Sequence, residues 1–538
     1  MPRFRTSGPA AWQRATASRP TSLPLGQRAA VTPDRTALID LTDNHNNQYD
    51  AGSSDSECWT YRALDAATDA VAARLRQHLP TDPPTRRVGI AVSPRVEFVT
   101  ALYATLRLGW TVVPFDPGLP GAALADRVDR TDPALVVCDR ESEPRCLGTE
   151  RPVLSVDEPQ DSRVSPLLAT ALEDDEAAHS GPSSGTAADR SEALLLFTSG
   201  TTGHPKVVRL TLSNLCASAV ASAFRLGVTP TDRWLGCLPL HHMGGLAPVF
   251  RSAWDGTTLV LQGSFETERT EALVESQGIT GVSLVPTQLK RLLDAGWSPP
   301  EWLRTVLLGG APADASLLSR ALDADVPVCP TYGLTETASQ VATALPSTVR
   351  EHPESVGQPL LWTDVTILDD GTQVDSGERG EVIVDGPTVT PGYLDDQATE
   401  AAFGEHGLHT GDLGVCDADG RLRILGRIDD VINTGGELVV PAEVVSVLES
   451  HPGISEAAVV GLDDPEWGER VAALIVPTVT GSRSDTTGLD VDTLLDHCRE
   501  QLAAYKLPKT VVTADRIPRT DSGTVDRDAV ATEIERRE

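Results

Sequence analysis

An apolar run, Leu194 to Phe197, empties into eight residues dominated by Thr, Ser and Gly before Lys206, giving the stretch LLLFTSGTTGHPK. The run has the length and the bounding turn residues of a buried strand. The loop after it is composed to hold a polyanion. Gly200 and Gly203 let the backbone approach closely and aim N–H groups at one point, Thr198, Ser199, Thr201 and Thr202 add hydroxyl donors, and Lys206 supplies a cation. It is not the Walker loop, because Gly-Lys-Ser/Thr is missing and Pro205 precedes the lysine, so no helix starts there as that motif requires. An ordinary Gly/Ser/Thr turn needs neither the strand nor the lysine, and here all three coincide.

The 538 residues, 40% of them hydrophobic, suffice for three to four packed units. From Gln27 the pattern alternates helix and strand: Trp59 to Leu79 is helical, Val88 to Val92 a strand, Val96 to Leu108 helical, and Ser213 is the expected N-cap of a helix through Phe224. Such alternation implies an α/β fold with parallel sheets covered on both faces. Residues 1–24 read as a flexible tail, and Asp157 to Arg190 as a long surface connection. Two further strands, Arg304 to Leu308 and Val326 to Cys329, run into Gly309-Gly310-Ala311-Pro312 and Pro330-Thr331-Tyr332-Gly333-Leu334-Thr335-Glu336-Thr337. Ligands in open α/β sheets bind beyond the carboxyl ends of strands, so these loops and the phosphate loop are expected to share one crevice. From Thr363 to Arg427, short alternating segments predict a small antiparallel, barrel-like β unit. The expected division is residues 25–426 as a large domain binding acid and nucleotide, and 427–538 as a small, mobile α+β domain.

The chain carries 77 acidic against 45 basic residues, a net charge of -32, and only four lysines: Lys206, Lys290, Lys506 and Lys509. Nucleic acid is excluded as a partner. Dispersed acidity with arginine in place of lysine suits a cytoplasm of molar salt, where screening shortens charge repulsion to about 3 Å. The eight cysteines show no paired spacing, which argues against disulfides or a zinc site. No apolar run approaches the roughly 18 residues of a membrane helix, and the N-terminus lacks a signal peptide's apolar core. A cytoplasmic protein without a membrane partner is expected, with a homodimer left open.

FTSGTTGHPK resembles the phosphate loop of the adenylate-forming enzymes, the superfamily of acyl- and aryl-CoA ligases, luciferases and peptide-synthetase adenylation domains. The resemblance implies ATP, Mg²⁺ and coenzyme A as ligands, and Lys206 as a catalytic cation. Glu336 is a carboxylate among anions, which makes sense if a cation joins them, although a solvated turn glutamate is the ordinary alternative. The superfamily places this Glu on the magnesium and the Tyr of the same run, Tyr332, against adenine. Gly309, Gly310, Ala311, Thr331, Gly333 and Thr335 complete the implied nucleotide site, Gly310 also facing the acid. Asp412, in HTGDLG, offers two oxygens to ribose hydroxyls. In the GRIDDVINTGGELVVPAEVV stretch that follows, the resemblance gives Arg427 to the nucleotide, Asp429 to the hinge, and Gly435 and Gly436 to the approach of the thiol.

His241 and His242 are adjacent, so on an extended segment at most one reaches the site. CLPLHHMGGLAPVFR, VLLGGAP and PTYGLTETASQ resemble the subfamily of 2-succinylbenzoate:CoA ligases of menaquinone biosynthesis. That resemblance makes His242 the substrate-side histidine. Its acid is a dianion, and Arg251 is a candidate to pair the non-reacting carboxylate. Another aromatic or fatty acid stays open as the substrate. So does a degenerate adenylate-binding protein, because the superfamily's Pro-Arg-Thr-x-x-Gly-Lys reads PRTDSGTVDR here. Thr524 stands where the catalytic lysine is expected. Lys506, Lys509, Arg519 and Arg527 are the nearby cations that could replace it.

Overall fold

The computed structural model describes residues 23–42, 57–167, 192–198, 205–478, 491–519 and 525–538. Two large sheets dominate the first three quarters of the chain. One runs in the order Gly392–Tyr393, Lys206–Thr211, Glu192–Thr198, Thr111–Pro114, Arg87–Ala91, Leu135–Cys138, Val153–Ser155, Val164–Pro166. It is parallel from Glu192–Thr198 onward, and antiparallel at the edge carrying Lys206 and Tyr393. The other contains five neighbouring parallel strands, Val328–Tyr332, Thr305–Leu308, Gly281–Leu284, Arg233–Gly236 and Thr258–Leu261, continued by Thr36–Asp40.

The alternation along each strand explains how the sheets stack. Leu194 and Leu196 join Ile90 of their own sheet and Leu38 and Leu259 of the other in one core, filled from between by helices Tyr61–His78, Val96–Arg107, Leu212–Leu226 and Met243–Asp255. Leu195 and Phe197 point the opposite way, onto Leu124 and Val128 of helix Gly121–Thr131. Val282, Val306 and Val328 of the second sheet meet helices Thr267–Ser276, Pro286–Asp294 and Ala315–Asp323 on its outer face. Both faces of both sheets are therefore covered, which is why the strands read as nearly continuous apolar runs.

An antiparallel sheet built from Asp364–Asp369, Arg379–Asp385, Gly407–Cys416 and Leu422–Arg427 follows, as the alternating segments predict. The last sheet joins Glu437–Val439, Ile432–Thr434, Gly468–Pro477 and Ile454–Asp464 to the parallel strand Thr510–Thr513. Helices Pro441–Glu449 and Val491–Gln501 cover one of its faces and Arg527–Arg537 the other.

Several local expectations are corrected. Trp59 lies in the strand Glu57–Thr60, and the helix begins only at Tyr61, where Thr60 caps it through the Ala63 N–H. Thr211, not Ser213, caps Leu212–Leu226, in a capping box with Asn214. The segment after Asp157 includes the edge strand Val164–Pro166; its remainder, 168–191, and the tail 1–22 lie outside the described residues. The strand expected to end at Cys329 continues to Tyr332, because Thr331 and Tyr332 pair with Thr343 and Ala342 of the antiparallel strand Ala342–Thr343. No described helix is long and apolar enough to cross a membrane.

Candidate active site

The two strands that flank the phosphate loop are hydrogen-bonded to each other, with Thr198 opposite Lys206. The chain thus returns as an antiparallel neighbour, and Lys206 opens a strand rather than a helix. Ser199, Gly200, Thr201, Thr202 and Gly203 lie outside the described residues. Around the ends of the loop, the guanidinium groups of Arg127 and Arg130 stand 5.0 and 5.4 Å from the Phe197 ring, and Arg130 donates to the Pro205 carbonyl at 2.5 Å.

Lys206 meets Glu336 through a residue that sequence reasoning missed. The Lys206 ammonium lies 5.1 Å from the centre of the Tyr393 ring, and the Tyr393 hydroxyl donates to Glu336 Oε1 at 2.9 Å. Tyr393 is buried, and burial followed by the charge of Glu336 pushes its phenol well above the ordinary range. PGYLDD looks like an ordinary turn, so nothing in the sequence marks this tyrosine.

Glu336 sits in the short turn Thr335–Thr337, just past the strand Val328–Tyr332. The chain doubles back tightly there: a Cβ on Gly333 would fall 1.7 Å from the Ser339 carbonyl oxygen. Ala338 and Ser339 adopt φ of 52° and 124°, a conformation L-residues avoid at a cost of about 1–3 kcal/mol each. Such strain in non-glycine residues concentrates at functional sites, and it too leaves no sequence signature. Gly309 on the neighbouring strand end is pressed against Thr331, where a Cβ would meet Cγ2 at 2.8 Å, and Gly310 takes φ of 83°. The Thr331 hydroxyl donates inward, to the Ala342 carbonyl at 2.9 Å. Gly309, Gly310, Ala311, Thr331, Tyr332, Gly333, Thr335 and Glu336 therefore cluster along adjacent strand ends, as the strand-and-loop pattern implies.

Asp412 is buried and already has a partner on each oxygen. Tyr332 donates to Oδ2 at 2.6 Å, and Arg427 donates to Oδ1 at 2.9 Å and to the Thr410 carbonyl at 2.8 Å. Burial raises the Asp412 carboxyl, and Arg427 and Tyr332 partly offset this. Each carboxylate oxygen has two lone pairs, so both keep room for a further donor. Glu381 holds this loop in place through His409 Nδ1 at 2.8 Å and the Gly411 N–H at 3.0 Å.

The histidine pair departs from expectation. Leu240 and His241 form a turn that leads into an extended His242, so the two rings lie side by side, with centroids 4.4 Å apart. His241 is half-buried, 4.0 Å from Asp116, and burial together with His242 pulls it down to about 4, leaving it neutral at physiological pH. His242 is exposed and occupies the N-cap of Met243–Asp255.

Arg251 lies on that same helix, nine residues on, or about 13 Å along the axis. Arginine side chains on helices lean toward the N-terminus, which shortens the gap to His242. Arg251 is 8% exposed, and its guanidinium donates to Ser222 Oγ at 3.2 Å, while among the described residues its Nε–H finds no acceptor. It lines a cavity of about 20 Å³ with Ser222, Trp234, Pro248, Asp255 and Thr257. Burial pulls Arg251 down to about 10, with Asp255 opposing, and it stays charged at neutral pH. Burial likewise raises Asp255 to about 7, against the pull of Arg251 and Arg28.

In the last quarter of the chain, Gly435 and Gly436 form an exposed turn, with Gly435 donating to the Trp467 carbonyl at 2.7 Å. Asp429 is exposed in the turn Ile428–Asp430, while Asp430 pairs with Arg527 at 2.9 Å. Thr524 lies outside the described residues. Of the four cations near it in sequence, Lys506 pairs with Glu443, Arg519 with Glu456 and Arg527 with Asp430. Lys509 stands 4.2 Å from the Trp467 ring, and that ring packs on Gly435.

The family model for AMP-binding enzymes matches residues 25–394, and that for the AMP-binding enzyme C-terminal domain matches 443–524. The chain is 36% identical over 501 residues to the 2-succinylbenzoate–CoA ligase of Bacillus licheniformis, spanning 93% of this chain and 97% of that one. It superposes on the o-succinylbenzoate CoA synthetase of Bacillus subtilis in complex with its acyl-adenylate intermediate with a TM-score of 0.79 and 33% identity, covering 94% and 97% of the two chains. The same enzyme in complex with ATP and magnesium ion matches with a TM-score of 0.77 and 33% identity, covering 94% and 98%.

Proposed function

The chain belongs to the AMP-binding enzyme family, and on that basis we propose that it joins 2-succinylbenzoate to coenzyme A with ATP, through an acyl-AMP intermediate, as a step of menaquinone biosynthesis. It is an AMP-forming acid–thiol ligase. The observation that carries the choice of acid is Arg251. A buried guanidinium whose Nε–H has no acceptor among the described residues is costly unless an anion completes it, and it lines a cavity on the helix that begins at His242. A diacid with one carboxylate at the histidine end supplies that anion with its other carboxylate.

In the first half-reaction the reacting carboxylate attacks the α-phosphorus of ATP, an O–P bond forms, and pyrophosphate leaves. On this reading Lys206 offsets charge on the phosphates, and Asp412 accepts from the ribose hydroxyls. The donor set fits magnesium: Glu336 uses one oxygen for Tyr393 and keeps the other, so it is the carboxylate that would hold the ion. When bound, the ion neutralises phosphate charge. In the second half-reaction the thiol of coenzyme A attacks the acyl carbon and AMP leaves. We assign this step to a reorientation of residues 427–538 about Asp429 that brings Gly435 and Gly436 to the crevice. Pyrophosphate release from a panel of acids, with and without coenzyme A, tests the reading. A preference for 2-succinylbenzoate supports it, and equal or better turnover of a mono-acid overturns it.

Three of the four cations that could replace the missing lysine are tied to carboxylates, and Lys509 lies on the side of the glycine turn. Acyl-AMP formation is therefore expected to limit turnover. Thr524→Lys should accelerate that step by about tenfold, the worth of one charge-assisted hydrogen bond of about 1.5 kcal/mol, and leave thioester formation from synthetic acyl-AMP unchanged. Single-turnover measurement of both half-reactions checks this; no gain in the first step would show that another group already fills the role.

A cytoplasm of high salt is part of the same reading. Self-repulsion of a net charge of -32 is relieved by screening, so the melting temperature is expected to rise steeply between low and molar KCl. A flat thermal-melt profile would remove the halophilic assignment.

A further inference from the structure

Lys206 and Glu336 are opposite charges in one crevice, and neither has an ion-pair partner among the described residues. What stands between them is Tyr393. It comes from the strand Gly392–Tyr393, which pairs antiparallel with Lys206–Thr211, and is only 5% exposed. Its ring face lies 5.1 Å from the ammonium, and its hydroxyl reaches the carboxylate at 2.9 Å. The same segment also grips the main chain of Glu336, since the Thr390 N–H donates to the Glu336 carbonyl at 2.7 Å.

An ammonium and a carboxylate that met in this crevice would pair, and both would be lost to a ligand. An aromatic ring holds a cation without neutralising it, and a single hydroxyl occupies one carboxylate oxygen while leaving the other open. We propose that Tyr393 is a positioning residue that keeps Lys206 and Glu336 from pairing, so that the first stays available to phosphate and the second to a divalent cation. This rests on the nucleotide site described above, and it assigns the ring and the hydroxyl separate tasks. The ring governs Lys206, and therefore nucleotide binding without metal. The hydroxyl orients Glu336, and therefore the gain in binding that the metal brings.

Calorimetric binding of α,β-methylene-ATP, with and without Mg²⁺ and with neither acid nor coenzyme A present, separates the two. Tyr393→Phe keeps the ring and should leave metal-free binding unchanged, while the Mg²⁺-dependent gain falls about tenfold, the lower end for loss of an outer partner of a metal ligand. Tyr393→Leu removes both and should weaken metal-free binding as well, because Lys206 can then pair with Glu336. The proposal is overturned if Tyr393→Phe retains the wild-type gain, or if both variants weaken metal-free binding equally, as a purely structural role would have it. Should Tyr393→Leu fail to fold, Tyr393→Phe alone decides. Glu336→Gln, measured alongside, isolates the underlying assignment. If that variant keeps the full Mg²⁺ gain, the metal site itself is wrong; if it loses the gain and Tyr393→Phe does not, only the role of Tyr393 fails.

Discussion

Lys206→Ala is expected to slow pyrophosphate release from 2-succinylbenzoate and ATP by about 10²-fold or more, and Glu336→Ala by a similar factor. Each replacement removes a charge placed where phosphate charge develops, and such groups act in a water-poor crevice where each is worth several kcal/mol. The two losses differ in kind. Without Lys206, Tyr393 keeps Glu336 in place; without Glu336, the Tyr393 hydroxyl loses its acceptor in a buried position, so some stability goes with the activity. A thermal melt beside the rate measurement distinguishes these contributions. Rates within a few-fold of wild type for both variants would mean that the phosphate site lies elsewhere.

Arg251→Ala is expected to lose roughly 2–5 kcal/mol of discrimination in favour of 2-succinylbenzoate over a mono-acid analogue, the range for truncating one partner of a buried charge pair. At about 1.4 kcal/mol per decade, the ratio of kcat/KM for the two acids falls between roughly 30-fold and several thousand-fold. The free guanidinium is already desolvated, so the cost of stripping its water is met in the folding of helix Met243–Asp255 and not at binding. The mono-acid leaves that charge without its anion in wild type and gains nothing from it, so alanine should leave its kcat/KM nearly unchanged. An unaltered ratio for the two acids rejects the role.

The features legible in the sequence are those encoded by neighbours in the chain. The strand Glu192–Thr198 announces itself by a continuous apolar run, and the loops after Leu308 and Tyr332 by their glycines; that the latter two share a crevice follows from parallel-sheet geometry, whereas the phosphate loop ends a strand of the other sheet and meets them through the stacking of the two. The antiparallel sheet ending at Arg427 is equally plain from its alternation. What escapes is whatever depends on distant partners. Tyr393 reaches Glu336 across 57 positions and Tyr332 reaches Asp412 across 80, and no period or spacing links either pair. The histidine pair misleads for a local reason: the run LPLHHM has no glycine at the bend, so it reads as extended, yet the His242 N–H donates to the Pro239 carbonyl and the chain turns. Arg251 shows the same limit from another side, since an arginine on an amphipathic helix ordinarily reaches water, and only the packing of Leu212–Leu226 and Trp234 against it encloses the charge.

The turn Ile428–Asp430 is fastened at both ends. Arg427 is bolted to Asp412 and the Thr410 carbonyl on one side, and Asp430 is bolted through Arg527 to the Val459 carbonyl on the other. Within the turn the Val431 N–H donates to the Ile428 carbonyl at 3.1 Å, and Asp429, between the two anchors, is exposed. If residues 427–538 reorient about Asp429 as proposed, so short an axle would let them rotate but hardly slide, and the same two bolts would fix the register of their stable settings. Switching between settings would then require neither sheet to open, only the parting of that one hydrogen bond and a turn about the bonds beside Asp429, and a proline at position 429 would act as a wheel lock by fixing its φ.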